Sequence, residues 1–154
     1  MINNKNLPKI ITDLKKIQIP CEPVESISEG EDIAKLLFEV LTNNGRAVGL
    51  AANQIGINKQ VCVIKVKDPL YLINPKISEQ EGQLIYSERC MSIPNRIIKT
   101  KRYSKFIVEC DNIEGKMLFD VSHISPNKWL YDIDVMEAIV IQHEIDHLNG
   151  KTML

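Results

Sequence analysis

The sequence predicts an α+β domain in which small, mainly antiparallel sheets surround a helix close to the carboxyl terminus. Two patterns lead to this class: a helical apolar repeat lies near each end of the chain, and short β-rich runs fill the middle. The chain has 154 residues, of which 44% are hydrophobic, and domains commonly hold about 100 to 150 residues. We therefore expect a single domain that spans residues 1–154.

The first predicted helix lies within SEGEDIAKLLFEVLTNNG, residues 28–45. Ser28 and Glu31 have the spacing of a capping box, in which each side chain accepts a hydrogen bond from a backbone N–H of the first turn. Gly45 follows as a typical helix terminator. Between these signals, apolar residues recur at helical spacing: Ile33, Leu36, Leu37, Val40 and Leu41.

Between Ala47 and about Cys110, four short runs favour β-strands because they are rich in β-branched and aromatic residues. The runs are QVCVIKV, YLINPKI, QLIYS and KFIVEC, and the residues that punctuate them are Pro69, Pro75, Gly82 and Pro94. These short segments predict a small, mainly antiparallel sheet.

The second predicted helix extends from about Asp134 to His147. Asp134 and Glu137 fit a capping box, and Gly150 is a typical terminator. The strands therefore precede the long final helix, which is the order expected of an α+β domain.

Composition disfavours several classes of protein. The net charge of −1 is not that of a nucleic-acid binder. The amino-terminal stretch MINNKNLPKI has no apolar segment of signal-peptide length, and runs such as AVGLAA fall short of the roughly 20 residues that span a membrane. We expect a cytoplasmic monomer without DNA or membrane partners. The cysteines form no CxxC pair, so we expect no disulfides, and Cys21, Cys62 and Cys110 should be buried small hydrophobic side chains.

The stretch IQHEIDHLNG, residues 141–150, contains the pattern HExxH. His143 and His147 are four residues apart, so on a helix they project from one face and can bind a single metal ion. Glu144 would lie beside that ion, where it can accept a proton from a water whose pKa the metal lowers. The simpler alternative is an ordinary amphipathic helix that carries two histidines.

A hydrolytic metal site typically uses three protein ligands and keeps one position for water. The segment SERCMSIPN, residues 87–95, offers Cys90 where a strand leads into a turn. A single cysteine is more often a buried small hydrophobe. The pattern alone therefore leaves the third ligand open.

Three stretches resemble the signature motifs of the peptide deformylases, in the family's order and at similar separations: VGLAANQ at 48–54, ERCMS at 88–92 and HEIDHLNG at 143–150. The resemblance implies hydrolysis of the N-formyl group from the initiator methionine of new polypeptides, with release of formate. It also implies one divalent metal ion per chain. In the family this ion is usually Fe²⁺, and Zn²⁺, Ni²⁺ or Co²⁺ can replace it.

The resemblance also assigns roles to individual residues. A water would fill the fourth position of a metal site whose protein ligands are Cys90, His143 and His147. Glu144 would act as the general base. The Gln54 side chain and the Met91 backbone amide would stabilise the oxyanion of the tetrahedral intermediate.

The substrate-binding residues should be mainly apolar. Val48, Ile139 and Val140 could wall a slot for the methionine side chain, although plain core packing is an equally good interpretation of each. Gly49 and Leu50 lie in an extended segment that could pair with the substrate backbone as an added strand.

The chain departs from the family's pattern at two positions, because Ala47 and Arg89 replace glycines that are usual there. The Arg89 guanidinium could fold onto Glu88 or into solvent, or it could lie along the cleft and pair with a carboxylate of the bound peptide. The sequence ends soon after the third motif, as in organellar or phage-encoded members of the family.

Other interpretations remain open. RIIKTKRYSK, residues 96–105, reads as an exposed basic strand, but a ribosomal-RNA contact is the alternative. A zincin-like metallopeptidase usually draws its third ligand from a His or Glu downstream of HExxH, and residues 148–154 contain neither. In a non-catalytic metal-binding module, Glu144 would have no role.

Overall fold

The computed structural model of the protein describes residues 6–154 and confirms the predicted α+β class. The helices are α1 Leu14–Ile17, α2 Ile27–Thr42 and α3 Ile133–Leu148, with 3₁₀ turns at Ala52–Ile55 and Pro126–Lys128. The strands are β1 Gly49–Ala51, β2 Val61–Ile64, β3 Leu70–Ile73, β4 Lys76–Glu81, β5 Leu84–Cys90, β6 Ile93–Arg102, β7 Lys105–Cys110 and β8 Ile113–Asp120.

The strands form small antiparallel sheets, as predicted. One sheet has the order β1-β2-β3 and a second has the order β4-β7-β8, whereas β5 and β6 form a two-stranded ribbon. The run YLINPKI is divided between β3 and β4, because Asn74 has a φ of 52° and Pro75 lacks the N–H that a continuous ladder requires. The sequence patterns did not predict β8, which pairs with β7.

The β1-β2-β3 sheet separates two hydrophobic clusters, because successive side chains of a strand point to opposite faces. Cys62 and Ile64 of β2 pack in the cluster that contains Ala138 of α3. Val61 and Val63 of the same strand pack with α2. The sheet therefore supports α3 on one face while α2 covers the other.

Both long helices begin two residues earlier than predicted. Ser26, not Ser28, caps α2: its backbone is extended, and its Oγ accepts a hydrogen bond from the Glu29 N–H at 3.1 Å. Asp132, not Asp134, caps α3 by accepting hydrogen bonds from N–H groups of the first turn. A capping side chain must precede the first helical residue, and Ser28 and Asp134 already lie inside the helices.

The carboxyl end of α3 is tied to the first half of the chain. Gly150 follows with a φ of 76°, which confirms the predicted terminator. The Leu148 carbonyl accepts hydrogen bonds from the Cys21 N–H at 2.8 Å and from the Gln60 side chain at 3.0 Å. The Asn53 side chain donates a hydrogen bond to the His147 carbonyl at 2.6 Å. These donors satisfy carbonyl groups that a helix leaves without partners at its end.

No helix among residues 6–154 is long and apolar enough to cross a membrane. Residues 1–5, the start of the polar amino-terminal stretch, lie outside the described part of the chain. Cys21 and Cys62 are buried free thiols as predicted, and Cys110 is half-buried. Burial raises the pKa of Cys21 to about 11 and also raises the pKa of Cys62, so both thiols are protonated hydrophobic side chains at neutral pH.

Candidate metal centre and active-site cleft

Cys90, His143 and His147 meet in the interior, where β5 ends against α3. The Cys90 Sγ lies 3.3 Å from the His147 Nε2, which lies 3.1 Å from the His143 Nε2. The three side chains are buried, and His147 is 0% exposed. The fold thus assembles the proposed ligand set although 57 positions separate Cys90 from His147.

Local geometry explains how β5 presents its side chains. Residues two apart share one face of a strand, so Glu88 and Cys90 are both buried while Arg89 between them is exposed. The register of β5 against β6 shifts after Glu88, and Cys90 then pairs with Ile93. Cys90 is therefore the last residue of β5, in the strand-to-turn position that the sequence predicted.

A buried ionic network holds the ring of His143. Its Nδ1 lies 2.8 Å from the Glu88 Oε1. Arg102 of β6 donates to both oxygens of Glu88, at 2.6 and 2.7 Å, and its Nη1 donates to Asp146 of α3 at 2.5 Å. Burial alone would raise the pKa of Glu88, but Arg102 and His143 lower it to about 2. A permanently charged carboxylate therefore fixes the orientation of the ring and directs its Nε2 towards Cys90 and His147.

This network was not predicted from the sequence. Glu88 was considered only as a partner for Arg89, and Arg102 was counted among the exposed residues of a basic strand, whereas it is 9% exposed. Two features of the sequence bear on the network: Glu88 and Arg89 directly precede Cys90, and HExxH contains a second acidic residue, Asp146. Neither signal identifies the partner without the pairing of β5 with β6.

The donor set suits a divalent cation. Burial lowers the pKa of His147 to about 3, so this ring is neutral and can coordinate a metal. Burial would also lower the pKa of His143, but the neighbouring Glu144, Cys90 and Glu88 raise it to about 10. The negative groups that favour a proton on this ring also favour a metal cation in its place. One sulfur and two imidazole nitrogens are ligands for zinc, iron, nickel or cobalt.

Glu144 carries a buried carboxylate that lines the cleft. It is 4% exposed, and its Oε1 has no hydrogen-bond partner among the described residues. Burial raises the pKa of Glu144 to about 7. A carboxyl group with a pKa near neutrality can both accept and return a proton at physiological pH. Gly49 of β1 lies against it: a Cβ there would come within 2.7 Å of Val140 Cγ1 and closer still to the Glu144 Oε2.

Gln54 is buried rather than exposed, and both polar atoms of its side-chain amide are hydrogen-bonded. Its Oε1 accepts a hydrogen bond from the Ala51 N–H at 2.9 Å. Its Nε2 donates to the Ser92 Oγ at 3.1 Å and faces the Cys90 Sγ at 3.6 Å. The amide N–H₂ is therefore aimed at the centre formed by Cys90 and the two histidines.

Gln54, Cys90, His143 and Glu144 line one cleft with a volume of about 490 Å³, whereas the fully buried His147 does not. The predicted substrate-binding residues that line it are Val48, Gly49, Arg89, Ile139 and Val140. The cleft is also lined by Met91, Met136 and Tyr86. Leu50 does not line the cleft; its side chain is 0% exposed and packs in the cluster that contains α2. β1 is an edge strand of its sheet, so its backbone is available for pairing with an extended peptide.

Arg89 does not fold onto Glu88, because Arg102 and His143 occupy that carboxylate. The Arg89 side chain is exposed and lines the cleft. It makes no ion pair among residues 6–154. Of the alternatives left open by the sequence, pairing with Glu88 is therefore excluded.

A buried thiol and two imidazoles that meet beside a partly apolar cleft, with an unpartnered carboxylate in that cleft, are typical of the metal-dependent hydrolases. A sequence profile described as polypeptide deformylase matches residues 8–154. Because this match covers nearly the whole chain, the protein belongs to the polypeptide deformylase family. It is therefore a hydrolase that removes formyl groups from peptides.

Individual relatives agree with this assignment. The chain is 32% identical over 144 residues to peptide deformylase 3 of Shewanella oneidensis, which covers 91% of this chain and 82% of that protein. A solved peptide deformylase from Synechococcus elongatus in complex with actinonin has a TM-score of 0.79 and 28% identity, covering 99% of this chain and 80% of that one. A probable peptide deformylase from Synechococcus phage S-SSM7 has a TM-score of 0.76 and 27% identity, covering 95% and 97% respectively.

Proposed function

We propose that this deformylase acts on the N-formylmethionine of new polypeptides in the cytoplasm and releases formate and a free amino terminus. One observation supports this most strongly: Glu144 has an unpartnered carboxylate oxygen and lines the same cleft as Cys90 and His143, which His147 adjoins from the interior. A general base beside a metal centre is the arrangement that amide hydrolysis requires.

We propose that Cys90, His143 and His147 hold one divalent ion, with Fe²⁺ as the physiological metal and Zn²⁺, Ni²⁺ or Co²⁺ as substitutes. When bound, such an ion lowers the pKa of a coordinated water and polarises a carbonyl group. The protein keeps the ligands in place through the Glu88 bridge to His143 and through Arg102. Ligands that are fixed before the metal arrives bind it with less loss of conformational entropy.

The protein residues would move one proton through the reaction. Glu144 accepts the proton of the attacking water as the C–O bond to the formyl carbon forms. It then returns this proton to the amine nitrogen as the C–N bond breaks. The carbonyl oxygen gains negative charge meanwhile, and the Gln54 Nε2–H and the Met91 N–H are the donors that we propose for it.

The apolar wall of the cleft suits the substrate. Val48, Ile139 and Val140 offer a surface for an unbranched apolar side chain, which fits methionine. The edge of β1 at Gly49 offers backbone groups to the peptide, and main-chain pairing tolerates many sequences beyond the first residue. The proposed specificity is therefore strict at methionine and permissive after it.

The test is to incubate anaerobically purified protein with a formyl-methionyl peptide, measure formate, and determine the bound metal. Formate release together with one equivalent of metal is the expected result. Cleavage of an internal peptide bond without formate would favour a zincin-like peptidase. Bound metal without any hydrolysis would favour a non-catalytic module.

We also propose that the protein is a monomer that contacts the ribosome transiently. Lys99 and Lys101 are exposed on the same face of β6, whereas Arg102 is held by Glu88 and Asp146 and cannot contribute. Cosedimentation with ribosomes should weaken as salt rises, and it should weaken further for Lys99→Gln/Lys101→Gln. Binding that is unchanged in this variant would contradict the contact.

A further inference from the structure

Three exposed arginines line the cleft: Arg46, Arg89 and Arg96. They come from different parts of the fold. Arg46 precedes β1, Arg89 lies in β5 and Arg96 lies in β6. All three side chains are exposed, so their guanidinium groups are accessible to a ligand that enters the cleft. We refer to these residues as the arginine rim.

The arginine rim has no counter-charge within the protein. Among residues 6–154, no carboxylate lies within ion-pair distance of any of its members. The carboxylates that line the same cleft are Glu88 and Glu144, both 4% exposed. Glu88 is occupied by Arg102. The mouth of the cleft is therefore positive while its floor is occupied by buried groups.

Polar amides extend this surface. Asn44 and Asn95 also line the cleft and are exposed. Guanidinium groups bind carboxylates through parallel N–H···O bonds, and amides add neutral donors of the same kind. A cleft with an apolar wall and donors of this type at its mouth suits an extended ligand that is apolar at one end and anionic at the other.

We propose that the arginine rim selects formyl-methionyl peptides that carry a carboxylate after the methionine, either an acidic side chain or a free carboxyl terminus. This inference rests on the proposed function, since it concerns the part of the substrate that lies beyond the methionine slot. The rim stabilises the bound peptide by charge-assisted hydrogen bonds and raises the rate of encounter with anionic substrates. It sets preference, whereas Glu144 and the metal centre perform the reaction.

The position of the rim favours peptide over RNA as the ligand. Lys99 and Lys101, the other exposed cations of β6, do not line the cleft. The rim residues border the cavity that holds the Cys90 centre, whose volume of about 490 Å³ matches a few peptide residues better than a duplex. An anionic group bound at the rim can therefore be part of the same peptide whose formyl-methionine lies in the cleft.

The test compares two amidated peptides that differ in one charge, formyl-Met-Ala-Asp-NH₂ and formyl-Met-Ala-Asn-NH₂. At low salt, kcat/KM should be about five- to tenfold higher for the acidic peptide. The ratio should fall towards unity in about 0.5 M NaCl, since exposed charges are screened. Arg46→Gln/Arg89→Gln/Arg96→Gln should abolish the preference, mainly through KM. Lys101→Gln is the matched control on the same ribbon, and it should keep the preference.

The outcomes separate this inference from the function on which it rests. Absence of formate from both peptides would refute the proposed function. Equal kcat/KM for both peptides in the parent protein would overturn the rim alone, and so would a triple variant that loses activity equally on both. A preference that Lys101→Gln also removes would assign it to overall charge and not to the rim. Loss of RNA binding in the triple variant, with peptide preference intact, would make the rim an RNA contact and overturn the proposal.

Discussion

At the residue scale, Glu144 is distinguished by a buried carboxylate oxygen that lacks a partner in the described protein. Glu144→Gln should keep the metal and lose turnover by about 10²- to 10⁴-fold, because an amide can bond to water but cannot accept its proton. The measurements are formate release and metal content on the same preparation. Metal loss from this variant, or activity near the parent's, would contradict the role of general base.

Gly49 offers a second test at the same carboxylate. A methyl group on Gly49 would overlap Val140 and Glu144, so Gly49→Ala should displace the Glu144 side chain. A shift of about 1 Å at a reacting group can cost about 10²-fold in rate. The control is Gly115→Ala, where no atom lies within 4 Å and φ is 80°. That change should reduce stability by about 1 kcal/mol and leave kcat/KM unchanged. Equal activity in both variants would show that Gly49 does not position Glu144.

The site residues were predictable to different degrees. The spacing of HExxH predicts that His143 and His147 share one face of a helix, and only the resemblance to the family added Cys90, which lies beside them. The role of Glu88 could not be predicted from these motifs, because it depends on the contact with Arg102 across the β5–β6 ribbon. Which side chains of two strands face each other depends on the register of those strands, and the sequence pattern does not specify that register.

At the scale of elements, the start of α2 was misplaced because two overlapping boxes of the form S-x-x-E are present, at 26–29 and 28–31. Only Ser26 has extended backbone and bonds the Glu29 N–H. Ser26→Ala should therefore lower the free energy of unfolding by about 1 kcal/mol. Ser28→Ala, inside the helix and exposed, should change it little or raise it slightly. Urea unfolding of the pair provides the measurement, and equal losses would contradict the assignment.

The β5–β6 ribbon is fastened to α3 by the Arg102 guanidinium. Arg102→Ala would remove the only guanidinium in residues 6–154 that pairs with the buried Glu88 carboxylate and should lower the free energy of unfolding by about 3 to 5 kcal/mol. The neighbouring Lys101 is exposed, so Lys101→Ala should change it by less than about 0.5 kcal/mol. Denaturation in urea compares the two. An Arg102→Ala protein as stable as the Lys101→Ala protein would exclude a structural role for the ionic network.

The strand β8 shows a further limit of prediction at this scale. Its sequence, IEGKMLFD, has a glycine as its third residue and charged residues along it. Such a segment has weak intrinsic β-propensity, and its pairing with β7 compensates for this through contacts such as the stacked rings of Phe106 and Phe119, 5.3 Å apart. Tertiary context therefore overrides a local pattern that did not favour a strand.

At the scale of the whole molecule, metal binding should be coupled to stability, because the proposed ligands join β5 to α3. Removal of the metal with a chelator should lower the melting temperature. At a free metal concentration of about 100 times Kd, the stabilisation would be about 2.7 kcal/mol. Thermal unfolding of the chelated and the Co²⁺-, Ni²⁺- or Zn²⁺-loaded protein measures it.

Matched variants identify the cause of that stabilisation. Cys90→Ser should show a smaller metal-dependent shift and should lack a thiolate-to-cobalt absorption band. Glu144→Gln should show the full shift, since its side chain is not a proposed ligand. A melting temperature that does not depend on metal in the parent protein would contradict the proposed site.

The order of elements along the chain limits when a new copy can become active. α3 follows every other described helix and strand, and it carries His143, Glu144 and His147. The face of the β1-β2-β3 sheet that receives α3 stays uncovered until residues 133–148 have left the ribosome. Each copy is therefore inactive until its synthesis is nearly complete. A formyl group that is removed from its first residue during translation is therefore removed by another molecule, completed earlier.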